Sequence, residues 1–191
     1  SDWEQRWIRI GASTFCDGGD FLTEEGSTAT ASIGPQSAYN DLRYWIDTAQ
    51  SELHLHTYQF MSTELTGAVI DAIERGVEVT ILLEEGILDG ASTVDNQRGH
   101  AQAIHDAGGL VLWMDDPSQI SSPYRYIHSK VAVKDSESVW ISSGNWKESS
   151  VPVDQTGNRE WSLIVNSVEL ADLVMSRMDW DENQNSLHIS T

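Results

Sequence analysis

From residue 28 onward, the apolar positions of this 191-residue chain switch repeatedly between a period of two and a helical period. Residues 28–33 form a short β-type run closed by Gly34-Pro35. Residues 37–49 then carry Tyr39, Leu42, Trp45 and Ile46 at the spacing of one helix face. Residues 52–60 read as a strand. Leu65, Val69, Ile70 and Ile73 mark a second helix, which Arg75-Gly76 ends with a basic residue followed by glycine. The run VEVTILL at 77–83 is almost continuously apolar, the pattern of a strand buried on both faces. A glycine-bearing loop follows, then a helix over 96–107 stopped by Gly108-Gly109, and a strand over 110–113. Two strands, 127–134 and 138–142, are joined by a tight turn at Asp135-Ser136-Glu137. A strand at 161–165 and an amphipathic helix over 168–181 complete the pattern.

Repeated strand–helix–strand units predict an α/β fold, an α/β/α sandwich with a central mixed, mostly parallel β-sheet. Residues 1–26 scatter Trp3, Trp7, Ile8, Ile10, Phe15 and Phe21 through polar, glycine-containing sequence and read as an N-terminal arm packed on the body. Residues 27–182 form the single domain expected, large enough to bury a sizeable core, and 183–191 a flexible tail.

Charge narrows the function. Eleven Lys+Arg stand against 30 Asp+Glu, a net charge of −19. Only Lys130, Lys134 and Lys147 are lysines. Such a chain repels nucleic acid in dilute buffer, which excludes strong nonspecific DNA affinity there. In concentrated salt the screening length falls from about 8 Å to about 3 Å, so the composition suits a halophile, and an ordinary acidic protein equally well. Phosphate chemistry in a locally basic pocket stays open. No apolar run reaches the ~18–20 residues that span a bilayer, so a soluble protein is expected. The lone Cys16 excludes an internal disulfide and any multi-cysteine zinc site. Ser1 opens the chain with neither a methionine nor a signal-peptide pattern, which fits a processed or secreted chain or one cut from a longer precursor; the compartment is left open.

On a strand, residues two apart share a face, so His128 and Lys130 project together with Val131 and Val133 opposite. A hairpin partner brings Ser143 and Asn145 to the neighbouring edge. An imidazole, an ammonium, a hydroxyl and an amide around one cavity suit an oxyanion with several acceptor atoms. Asp135 reads as turn chemistry, its side chain bonding backbone.

His128, Lys130, Asp135, Ser143 and Asn145 fit the spacing H-x-K-x4-D-x6-G-S-x-N and resemble the signature of the phospholipase D superfamily, with Ser142 where the family usually has glycine. HTYQF at 56–60, AIERGVEV at 72–79 and GNRE at 157–160 are similar to further family segments, and the resemblance spans about residues 28–182. It implies a histidine nucleophile that attacks phosphorus, a phosphohistidine resolved by water or an alcohol, and a second histidine from another motif copy that protonates the leaving oxygen. His128, Lys130, Ser143 and Asn145 would be catalytic, Asp135 supporting, and Glu160 the carboxylate that holds the histidine ring in one tautomer. One motif copy implies a homodimer with a shared cleft, or one half of a tandem protein. Neither metal nor cofactor is expected. The implied activity is a phosphodiesterase, nuclease-like, acting on nucleic acid or another phosphodiester. Phospholipid hydrolysis is the runner-up, disfavoured because no basic amphipathic or exposed apolar segment is evident for membrane docking. A non-catalytic binding or scaffold module is the remaining alternative.

Other candidates have plainer readings. His54 and His56 share a strand face, but no carboxylate or cysteine stands at a ligand spacing, which favours packing or cleft lining over a metal pair. His100 and His105, five apart on a helix, read as surface residues. Glu84-Glu85 and the following glycine loop sit where an open α/β sheet places ligand loops, and a solvated loop explains them as well. Among the eight tryptophans, Trp45, Trp113, Trp140 and Trp161 occupy core-type positions. Trp146, directly after Asn145, and Tyr58 are candidates for lining the cleft.

Overall fold

A computed structural model describes residues 26–114 and 126–188, the last five by backbone only. Nearly all of the expected arm at 1–26, Cys16 included, and residues 189–191 of the expected tail lie outside the described residues. In chain order the elements are β1 (Thr28–Gly34), α1 (Ala38–Asp47), β2 (Glu52–Thr57), β3 (Phe60–Met61), α2 (Thr63–Glu74), β4 (Glu78–Glu84), α3 (Ala91–Asp106), β5 (Leu110–Met114), β6 (Lys130–Lys134), β7 (Ser138–Ser142), β8 (Trp146–Lys147), β9 (Glu160–Asn166), α4 (Val168–Asn185) and β10 (Ser186–His188).

Eight strands form one mixed sheet in the order β1-β9-β7-β6-β2-β4-β5-β10, and β3 and β8 form a short parallel pair. The α/β sandwich is as expected; the proportion of parallel pairing is not. Helical crossovers make β2–β4 and β4–β5 parallel. The other neighbours, β1–β9, β9–β7, β7–β6, β6–β2 and β5–β10, are antiparallel. The physical reason is connection length: a three-residue turn between β6 and β7 permits only a hairpin, whereas a parallel return needs a crossover.

Helices cover both faces. Leu53, Leu55, Ile81, Leu83, Ala132 and Trp140 bury one face in a core shared with Leu42 and Trp45 of α1, Leu65 and Val69 of α2, and Ile104 of α3. On the other face α4 packs Ala171 and Met178 against Val133 and Val139. That face is not covered throughout. Trp161, expected in the core, is 59% exposed, and Ile141 and Leu163 beside it are 43% and 40% exposed, because they lie on β9 and β7 towards the sheet edge, away from α4. Two boundaries also differ. α3 starts at Ala91, not near 96; its buried residues, Gln97, Ala101 and Ile104, all lie beyond the first turn, so its start has no core-facing periodicity to mark it. The segment expected to be a loose tail continues α4 to Asn185 and then pairs β10 with β5, covering an edge that would otherwise present unpaired backbone groups.

The β6–β7 turn is anchored from outside. Asp135 and Ser136 both adopt positive φ, 54° and 51°. The Asp135 carboxylate accepts hydrogen bonds from the backbone N–H groups of Gln50 (3.0 Å), Ser51 (2.7 Å) and Glu52 (3.2 Å) and from the Ser51 hydroxyl (2.9 Å). Burial would raise its pKa, but these donors hold it below the ordinary carboxylate value. The expected turn role is therefore extended: the acid ties the hairpin to the start of β2.

His54 and His56 face the end of α4. Glu182 lies 3.0 Å from Nε2 of His56 and 3.5 Å from Nδ1 of His54; Asp181 lies 3.8 Å from His56 and Glu52 3.7 Å from His54. Burial would raise the Glu182 pKa, yet the two imidazoles bring it down to about 2. Burial likewise would lower the pKa of His54, but Glu182, with Glu52 and Asp179, raises it. The depressed acid contributes stability above its ordinary 4.5 that is lost as pH falls towards 2. The raised imidazole contributes stability below its ordinary 6.5 that is lost as pH rises through its folded value. The contact is therefore strongest between those two ordinary values. Glu182→Gln is expected to cost about 1–3 kcal/mol, most near pH 5.5 and least near pH 2 and pH 9, in denaturant melts across that range. An equal loss at every pH contradicts the pairing.

Candidate active site

Strand direction collects the site. Because β6 runs antiparallel to both β2 and β7, the end of β2, the start of β6 and the end of β7 meet at one edge of the sheet, and β9 starts there too. Tyr58 and Gln59 follow β2, His128 precedes β6, Ser143 and Asn145 follow β7, and Glu160 opens β9. Backbone bonds fasten these ends: Tyr58 N–H donates to the Ser129 carbonyl (3.2 Å), Ser143 N–H to Trp161 (2.9 Å) and Trp146 N–H to Gln59 (3.0 Å).

His128 is exposed, whereas Lys130 is only 7% exposed. The Lys130 ammonium donates to the His128 carbonyl (2.7 Å) and lies 3.2 Å from Nδ1 of the same residue. The Tyr58 ring packs against the imidazole with centroids 4.8 Å apart. Burial and the adjacent Lys130 charge both lower the His128 pKa, so the ring is neutral at pH 7. An ammonium can only donate, so Nδ1 accepts and the ring proton resides on Nε2. Burial also lowers the Lys130 pKa, opposed by Glu160 and reinforced by Lys147.

The strand expected from 127 begins only at Lys130, and His128 occupies the extended lead-in. Glu84 fixes that segment. Its carboxylate, 2% exposed, accepts the N–H groups of Ile127 (2.8 Å) and Gly86 (2.8 Å). Burial raises its pKa, the two amides oppose the rise, and Glu85 adds to it. Glu84 is thus a buried tie and not part of a solvated loop.

Ser143 donates to Glu160 (2.5 Å) and accepts the Trp161 N–H (3.1 Å), while Ser150 donates to the second Glu160 oxygen (3.2 Å). In this structure the Glu160 carboxylate is engaged by two serine hydroxyls, and the group against Nδ1 of His128 is the Lys130 ammonium. A Cβ at Gly144 would stand 2.9 Å from Glu160 Cγ, so only glycine lets the carboxylate lie against this backbone. Ser142, where the family pattern has glycine, accepts the Gly144 N–H (3.0 Å) and the Ser162 hydroxyl (2.9 Å), which ties β7 to β9.

Asn145 donates through Nδ2 to Gln59 Oε1 (3.0 Å), and Gln59 Nε2 donates to Asp89. Gln59 and Asp89 escape a reading by spacing, since nothing in the sequence links positions 30 residues apart across a loop. Trp146 is not a cleft residue. It is 1% exposed, because the β3–β8 pairing turns it inward against Phe60, with centroids 5.6 Å apart. Tyr58 does stand at the site, its hydroxyl accepting the Leu88 N–H (3.1 Å). His100 is half-buried and bonded to Thr66 (2.9 Å), not a free surface residue. Among the described residues, no group of three or more His, Cys, Asp or Glu is placed to hold a metal ion. Among them, too, no helix is long and apolar enough to cross a membrane.

A family model described as "Cardiolipin synthase, PLD-like domain" matches residues 42–181. The chain belongs to the phospholipase D-like family. A curated relative named "Phospholipase D", from Rickettsia bellii, is 28% identical over 129 residues; the match takes in 66% of this chain and 55% of the relative, so the chain spans about half of that protein. Two solved structures share the fold. Nuc from Salmonella typhimurium, titled a phospholipase D family member, superimposes with a TM-score of 0.73 at 20% identity, covering 86% of this chain and 99% of that one. NucT from Helicobacter pylori gives 0.68 at 18% identity, covering 85% and 99%.

The Glu84 tie is open to a direct check. Glu84→Gln offers a donor to one of two amides that need an acceptor, and is expected to cost about 1–3 kcal/mol in chemical denaturation at pH 7. A change under about 0.5 kcal/mol contradicts the tie.

Proposed function

We propose that this phospholipase D-like chain supplies half of a phosphodiesterase site, cleaving P–O bonds in nucleic acid or a related phosphodiester without a metal. The observation that carries this reading is the buried Lys130 ammonium held against a neutral His128, a local positive charge in a chain of net −19. Without an anion to receive it, that charge is costly to bury. The relatives' names accord with the reading, since the family model, the curated relative and the Nuc title all refer to phospholipase D.

The chemistry follows from the protonation state. A phosphate oxygen draws the Lys130 ammonium away from Nδ1 of His128, and Nδ1 takes the ring proton. The freed Nε2 lone pair attacks phosphorus, a P–N bond forms, and the P–O bond to the leaving group breaks. The leaving oxygen takes its proton from a second histidine, supplied by another copy of the chain or by a second motif-bearing half. Water then attacks the phosphohistidine, giving a proton to that second histidine as the P–N bond breaks, so both rings return to their starting protonation. Lys130 and Asn145 offset the phosphoryl charge, and Ser143 joins them when its single hydroxyl proton turns from Glu160 to the phosphate.

Phospholipid is the second reading. The description of the matching family model favours it, and so does the apolar face of Ile141, Trp161 and Leu163, an exposed patch that the sequence pattern did not reveal.

The test is hydrolysis of bis(4-nitrophenyl) phosphate and of plasmid DNA in EDTA at several salt concentrations. The rate is expected to survive EDTA and to fall at least ~10³-fold in His128→Ala. It is also expected to fall with acid as His128 protonates, with a midpoint below the ordinary imidazole value of 6.5. Cleavage retained by His128→Ala overturns the reading. No turnover by a confirmed dimer favours the scaffold, and cleavage of lipid alone favours the second reading.

A further inference from the structure

Asn145 does not meet the site alone. Its amide is the inner end of a chain of hydrogen bonds that begins at Asp89, in the loop after β4, and passes through Gln59. A carboxylate can only accept, so Gln59 must turn Nε2 towards Asp89 and Oε1 towards Asn145. Oε1 in turn can be met only by Nδ2 of Asn145. One acid therefore sets the direction of two amides. Gln59 is 1% exposed, and its backbone is held by the Thr57 hydroxyl (3.2 Å) and the Trp146 N–H (3.0 Å), both donating to its carbonyl. The Asn145 Oδ1 is buried with no hydrogen-bond partner among the described residues, so local bonds at Asn145 itself do not dictate that its amide lies this way round. The direction is imposed from the Asp89 end.

We propose that Asp89 and Gln59 are positioning residues that fix which end of the Asn145 amide is offered to the bound oxyanion, keeping its second N–H available as a donor. This rests on the reading above that Asn145 donates to the substrate phosphate. It also gives the loop at 85–90 a defined part in the site, because a movement of Asp89 releases the direction of an amide two hydrogen bonds away.

Charge relocation separates this from simple packing. Asp89→Asn keeps the shape but lets the chain run either way; Gln59→Glu sets two carboxylates against each other. In the double variant Q59E/D89N, Asn at 89 donates to Glu at 59, whose other oxygen still accepts from Asn145, so the direction at Asn145 is restored. On bis(4-nitrophenyl) phosphate, kcat/KM is expected to fall roughly 10–100-fold in each single variant and to return within about threefold of the parent in the double. The side-chain amide resonances of Asn145 in 15N-labelled protein are expected to shift in Asp89→Asn and to return in Q59E/D89N. A double variant no better than the worse single, or Asn145 resonances unmoved in Asp89→Asn, overturns the proposal. If the parent chain turns over no diester, the catalytic reading fails while the resonances still decide the positioning role. If Gln59→Glu does not fold, Asp89→Asn, conservative and on an exposed residue, decides it alone.

Discussion

The site depends on the register of one strand. β6 must lie antiparallel between β2 and β7 with Thr57 opposite Lys130 and Val131 opposite Ile141; a slip of one residue would turn Lys130 to the α4 face and bring Val131 to the site. Apolar alternation argues for that register, and Asp135 fixes it from the far end, where its carboxylate gathers three backbone N–H groups of residues 50–52. The signature acid therefore works at a distance. It touches neither His128 nor Lys130, yet it decides which face each residue of β6 presents. Glu84 does the corresponding work at the near end, through the Ile127 N–H. Two buried or half-buried acids, one at each end of the β6 segment, leave His128 little freedom to move along the strand direction.

Charge is distributed to the same end. Of the three lysines, Lys134 donates to Thr48 and lies over the Trp45 ring, away from the site, whereas Lys130 and Lys147 are close enough for the one to depress the pKa of the other. Placing Lys130 and Lys147 together in so acidic a chain creates, among the described residues, a small region of positive charge that favours an anion. This reconciles the net charge with phosphate chemistry. Long-range attraction does little to bring the substrate in, so affinity must come from short-range donors whose orientation is fixed beforehand. The ordered amides of Gln59 and Asn145 fit that need.

The legible parts were those encoded locally. The buried run that became β4, the helix ended by Arg75-Gly76 and the β6–β7 hairpin each carry their signal within a few residues, and the H-x-K spacing placed His128 and Lys130 at one strand end. What stayed hidden depends on partners remote in the chain. Trp161 has a core-type pattern but sits where no helix covers the sheet; Trp146 looks like a cleft residue until its pairing with Phe60 turns it inward. β10 exists because β5 offers an open edge, which no window around residue 186 reveals. Glu160 came from the resemblance of the GNRE segment, but its partners, Ser143 and Ser150, did not. Asp89 had no sequence signal, and nothing in the HTYQF segment pointed to the link from Gln59 to Asp89 and Asn145.

The claim beneath all of this is that His128, Lys130 and Asn145 face one oxyanion. Titrating the 15N-labelled protein with inorganic phosphate while following the imidazole resonances tests it most directly, because it requires neither turnover nor a second motif. The account predicts saturable shifts at His128, with the ring proton moving from Nε2 to Nδ1 as Lys130 is drawn to the anion, and loss of both effects in Lys130→Ala. A His128 ring that is indifferent to phosphate, or that responds identically without Lys130, contradicts it.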